Sequence, residues 1–143
     1  MAQILPMNRL LLAFLLMFSL TNCKKIKEDI QEKKVLDFIT NGQWKIIELT
    51  KGSIDYVGDF TGYQFQFKTN NFVDAIKSSV VQKTGTWQGD ATNFTITSTF
   101  PADTVYPLTL LNGVWQIVDG SDNYVKATKN EGAELSILKL EKI

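Results

Sequence analysis

Few side chains in this chain can do covalent chemistry. It has 143 residues, no histidine and a single cysteine, so Ser-His-Asp catalysis, Cys-His catalysis and the usual zinc sites have nothing to be built from. A lone thiol forms neither an internal disulfide nor a CxxC site. What remains is Cys23, together with carboxylates, lysines, tyrosines and hydroxyls. Asp55, Asp59, Asp90, Asp103, Asp119 and Asp122 lie mostly beside Gly, Ser, Asn or Thr, the setting of turn residues. The cluster Asp119-Gly120-Ser121-Asp122-Asn123 offers oxygen ligands without the spacing of an EF-hand loop. A glycosidase needs two acids about 5–10 Å apart in a cleft, and no pair is singled out. The expectation is a non-catalytic protein with no cofactor and no metal site.

Cys23 is the exception, because of what precedes it. Arg9 is the only charged residue before the uncharged run Leu10–Leu20 (LLLAFLLMFSL). As a helix this run would span about 16 Å, roughly half a bilayer's hydrocarbon core. It is too short to cross a membrane and fits the apolar part of a secretory signal. The run ends in Leu20-Thr21-Asn22-Cys23, which resembles the lipobox of bacterial lipoproteins. That resemblance implies cleavage before Cys23, acylation of Cys23, and a protein held on a membrane of the cell envelope by its lipid. Several acyl chains at about 0.8 kcal/mol per buried methylene make such attachment effectively permanent. Charge offers no substitute. The whole chain carries 15 basic and 15 acidic side chains, and residues 23–143 have one more acid than base. That balance also excludes a nucleic-acid footprint.

These features divide the chain into a signal (1–22), a charged stalk with a short helix (23–41) and a domain (42–143). In the stalk, Ile26 and Ile30 share one helix face, and Val35, Leu36, Phe38 and Ile39 follow. A helix over about 27–39 is expected, stopped by Asn41-Gly42 and docked by its second half. The charged half reads as a solvated spacer.

The domain reads as short strands. Tyr63, Phe65 and Phe67 alternate with polar residues, as do Phe94 and Ile96 within 92–98; this places them on an inward face. Tyr106, Leu108 and Leu110 form a third inward set, and Trp115 and Ile117 a fourth. Trp44–Ile46, Phe72–Ile76, Thr84–Gln88, Tyr124–Thr128 and Leu135–Leu140 complete the strands. Asn112-Gly113 predicts a two-residue hairpin; 69–71, 89–91, 119–122 and 130–132 predict further turns. Pro107 marks an edge or a bulge. The fold class expected is all-β, an antiparallel meander barrel of eight to nine strands after a short N-terminal helix.

Each of the three tryptophans follows a glycine by two positions: Gly42-Gln43-Trp44, Gly85-Thr86-Trp87 and Gly113-Val114-Trp115. The order of Asn41-Gly42-Gln43-Trp44-Lys45-Ile46, Phe65–Phe72, Gly85-Thr86-Trp87-Gln88 and the last strand Leu135–Lys142 resembles the lipocalin-like lipoproteins of Bacteroidetes-type bacteria, over about 42–143. The resemblance implies a small barrel that binds or transports a small apolar molecule, with Trp44 packing its base. Lipocalins pair that tryptophan with a late-strand arginine, and residues 23–143 contain no arginine. Asp103-Thr104-Val105 resembles the acceptor of an O-glycosylation system of the same bacteria, which implies an exposed Thr104.

Two functional readings follow. In the first, Tyr63, Phe65, Phe67, Phe94, Tyr106 and Trp115 wall an apolar pocket, which needs about 300 Å³ of empty space. In the second the same aromatics fill the barrel, and the protein is a structural or interaction module whose protein partner is unknown.

Overall fold

The computed structural model describes residues 37–143 apart from Val105. The signal, Cys23 and most of the stalk therefore lie outside the described residues. Residues 37–40 are helical, matching the end of the expected helix. Ile39 is buried, and the Phe38 ring meets that of Trp44 edge-on at 5.1 Å.

Nine strands follow: β1 (Trp44–Lys51), β2 (Ile54–Asp55), β3 (Tyr63–Phe67), β4 (Phe72–Lys77), β5 (Val80–Asp90), β6 (Thr95–Thr99), β7 (Gly113–Ser121), β8 (Tyr124–Glu131) and β9 (Glu134–Lys142). Consecutive strands from β3 to β9 pair antiparallel, and β1 pairs β9 from Trp44↔Lys142 to Lys51↔Ser136. β1 meets β3 at Trp44↔Phe65 alone. The result is a closed eight-strand barrel, with β2 as an extra strand on β1. Closure leaves few free edges for another chain to pair with.

The interior is set by period-2 alternation. Trp44, Ile46, Phe65, Phe67, Val73, Ala75, Trp87, Ile96, Trp115, Val125, Ala127, Leu138 and Leu140 are buried in one core. Small residues make room for large ones. A Cβ on Gly85 would lie 2.7 Å from the Thr99 carbonyl oxygen and 2.9 Å from the Phe100 ring, so β5 and β6 approach closely only with glycine there. All three tryptophans are buried, and each indole N–H donates to the carbonyl of a segment outside the barrel wall. Trp44 bonds Ile39 at 2.9 Å, Trp87 bonds Lys68 at 3.0 Å and Trp115 bonds Leu111 at 2.8 Å. A buried indole needs such a partner, and here each one fastens a terminus or loop to the core.

The base of the barrel carries an unforeseen partner. Lys142 of β9 lies over the rings of both Trp44 and Phe38, with its ammonium 5.9 and 6.0 Å from their centres. A lysine of the last strand thus covers the tryptophan of the first. Gly42, at φ +103°, turns the chain beneath it, and its added Cβ would strike the Lys142 side chain at 2.9 Å.

Three sequence expectations are corrected. Residues 106–110 form no strand; Leu108–Leu111 is a 3₁₀ turn that buries Leu108 and Leu111, three residues apart. Pro107 lacks the N–H a strand ladder requires, so the apparent alternation had no ladder to join. Asn112-Gly113 is no hairpin. Asn112 ends that 3₁₀ turn, and its side-chain amide bonds both the N–H and the carbonyl of Phe100, at 2.6 and 3.1 Å, stapling the ends of the long β6–β7 loop. Finally, β6 begins at Thr95 and not Thr92, because Asp90 caps a turn by accepting from Asn93 at 3.0 and 2.7 Å. A turn absent from the sequence reading joins β4 to β5 through Ser78 and Ser79, both at positive φ (54° and 62°).

Candidate functional site

The expected pocket residues separate into three groups. Phe65, Phe67 and Trp115 do face the interior and line its central space. Tyr63 is half-buried at one rim, stacked against Phe65 at 6.3 Å, with Lys77 over its ring at 4.9 Å. Phe94 and Tyr106 are outside, 47% and 55% exposed, so the inward placement expected for them is wrong. Phe94 sits in the β5–β6 turn at φ +53°, where its carbonyl accepts from Ile117 N–H. The space enclosed by the central side chains is about 40 Å³. That is far below the ~300 Å³ of a small ligand site. The interior is a packed core.

One end of the barrel holds a polar cleft of about 160 Å³, bounded by β1, β8, β9 and the 3₁₀ turn. Its central group is Lys129, buried although charged. Lys129 continues the inward series Val125, Ala127 along β8, a parity legible in the sequence once the strand is accepted. Its ammonium donates to the carbonyls of Leu110 (3.4 Å) and Asn112 (2.7 Å), pairs with Glu131 at 2.9 Å, and lies 4.6 Å from the Trp115 ring centre. The three N–H groups are therefore spoken for within the fold. Lys51 approaches Glu131 at 3.0 Å from the other side, and Lys129 and Lys51 together hold the Glu131 carboxyl below the usual carboxylate range. This cluster closes the mouth instead of offering a free cation.

Two loops fold over the same end. The Tyr106 hydroxyl donates to the Asp59 carboxylate, which pushes the phenol up to about 12. Lys83 grips Asp103 through both carboxylate oxygens, at 2.9 and 3.0 Å, and lowers its pKa. Thr104, the expected glycan acceptor, is buried with its hydroxyl unpartnered, so the exposure that motif implies is not found. At the opposite end, Asp119 accepts from Tyr124 and from Gly120 N–H, both at 2.9 Å, as a hairpin residue. Among the described residues no helix is long and apolar enough to cross a membrane.

These features define a class: a small closed antiparallel barrel whose interior is filled and whose mouth is latched, a shape that fits a lipocalin-like barrel. No protein-family model matches the chain, and no curated protein sequence matches it. Among solved structures it is similar to a DUF4847 family protein from Bacteroides vulgatus ATCC 8482, with a TM-score of 0.52 and 16% identity, over 75% of this chain and 96% of that one. At that identity the likeness is one of fold.

Proposed function

We propose that this chain is a lipid-anchored, non-catalytic protein of the cell envelope that acts through its outer surface and loops, and does not carry an apolar molecule inside its barrel. The observation that carries this is the interior space of about 40 Å³, far short of the ~300 Å³ that a small-molecule site needs. The lipobox-like segment ending at Cys23 supports the anchor, and the absence of histidine with a single cysteine supports a non-catalytic role. Native mass spectrometry of protein purified without detergent is expected to give the mass of the polypeptide and its acyl chains alone. A stoichiometric extra small molecule, released on unfolding, would restore the carrier reading. For the anchor, Cys23→Ala is expected to move the protein from the membrane to the soluble fraction; unchanged fractionation would remove that part of the proposal.

A further inference from the structure

The start of β4, the middle of β5 and the end of β6 form an uncharged stretch of the outer wall. Register places Phe72, Thr86 and Thr99 in one row across three strands, and Gln88 beside Thr97 in the next. With Asn71 from the β3–β4 turn, these residues border a groove of about 280 Å³ that no charged residue lines. For comparison, about 150 Å³ accommodates one six-membered carbon ring. Phe72 is 45% exposed at the edge of this groove.

Among the described residues, the side chains of Asn71, Thr86, Gln88, Thr97 and Thr99 have no hydrogen-bond partner within the protein. The groove thus presents one aromatic face and five hydroxyl or amide groups, each able both to donate and to accept. It is also held in shape before any ligand arrives. Trp87 lies beneath it and fastens the β3–β4 turn twice, through its indole to the Lys68 carbonyl at 3.0 Å and through its backbone N–H to the Asn71 carbonyl at 2.9 Å. Preorganisation of this kind reduces the ordering cost of binding. The acid nearest Phe72 on β4, Asp74, is buried, paired with the Lys68 ammonium at 2.5 Å, and accepts a hydrogen bond from the Thr84 hydroxyl at 2.7 Å.

From this we propose that the outer face of β4–β5–β6 binds a neutral saccharide, with a sugar ring laid on Phe72 and its hydroxyls bonded to Thr86, Thr97, Thr99, Asn71 and Gln88. A pyranose has an apolar C–H face and a rim of groups that donate and accept, and this groove offers the complement of both. A charged ligand would lose hydration there and find no counter-charge. A protein partner would call for several bulky apolar or arginine anchors, and the groove has one exposed aromatic. The proposal rests on the surface-binder reading, yet the two fail separately, since an empty barrel by mass spectrometry says nothing about sugars.

The test is calorimetric titration of the full chain, in a zwitterionic detergent without a sugar headgroup, with the β-1,4 hexasaccharides of glucose, mannose and xylose and the α-1,4 hexasaccharide of glucose. At least one is expected to bind at millimolar Kd or tighter. Phe72→Ala and the double variant Thr86→Val/Thr97→Val should each weaken it at least tenfold, while Phe94→Ala, an exposed aromatic elsewhere, leaves it unchanged. The proposal is overturned if none of the four binds, if binding survives Phe72→Ala, or if anionic polygalacturonate binds as tightly. Loss of a co-purifying protein on Phe72→Ala, without sugar binding, would assign the face to a protein and overturn it as well.

Discussion

The barrel has two unlike outer walls. On β8, β9 and β1, charges face each other across strands: Lys45 with Glu141 at 2.9 Å, Lys126 with Glu48 at 3.5 Å, and Lys139 over the Tyr124 ring at 4.6 Å. On β4, β5 and β6 the row Phe72, Thr86 and Thr99 and the neighbouring pair Gln88 and Thr97 carry no charge and border a groove that no charged residue lines. Exposed ion pairs add little to stability, so the charged wall is explained by solubility and by discouraging association. Their absence opposite costs the fold almost nothing. The uncharged groove is therefore free to be shaped by something other than folding.

The largest effect is expected beneath that wall. Gly85→Ala would place a Cβ 2.7 Å from the Thr99 carbonyl oxygen, so β5 and β6 must separate at a cost of about 1–3 kcal/mol. Thermal unfolding should fall by roughly 5–20 °C for a domain of this size. An unchanged melting temperature would mean the two strands are not so closely packed.

Asp74 sharpens the contrast, as the acid closest to the neutral wall. Burial works against its ionisation, and the Lys68 ammonium with the Thr84 hydroxyl outweigh it, so its pKa lies below the ordinary value. A carboxyl lowered on folding stabilises the fold above the unfolded-state pKa, and the contribution is lost as pH falls through the folded value. Asp74→Asn should therefore cost about 1–3 kcal/mol at pH 7, and the gap between variant and parent should narrow on acidification below about pH 4. Denaturant titrations at pH 7 and pH 3 measure both; a gap constant with pH would show that Asp74 gains nothing from being charged.

A smaller effect belongs to the turn between β4 and β5. Ser78 and Ser79 both hold positive φ, which costs an L-residue about 1 kcal/mol. Ser78→Asn with Ser79→Gly, the pair a type I′ turn favours, should stabilise the domain by roughly 1 kcal/mol. A loss of stability would mean the serines make contacts that offset the strain. Smallest of all, Lys45→Ala on the charged wall should change stability by less than about 0.5 kcal/mol; a larger loss would make that wall structural.

How much of this was legible in the sequence depended on which physical constraint ruled each segment. Tyr63–Phe67 is legible because alternation is what a half-buried strand imposes, whereas in β9 Ser136 is buried and Leu135 exposed, against their polarity. The 106–110 segment imitates that alternation while Pro107 denies it a ladder. Phe94 lies outside because the turn it occupies is held by the local Asp90–Asn93 bonds and by a bond from the distant Ile117. Lys129 escaped notice because a lysine is expected outside, and only its parity with Val125 and Ala127 betrays it. The uncharged groove could not be seen at all, since its rows join residues 72, 86 and 99 through register. Nor could the sequence measure the space left inside the aromatics.

That space carries the central claim, that the barrel is filled and acts from its surface. Its most direct test is a methyl-resolved NMR titration of the full chain with decanoate, following Ile96, Leu138 and Leu140, which line the interior. These methyls are expected to keep their positions at millimolar ligand. Saturable shifts of all three would mean the interior opens to an apolar guest, and would contradict the claim.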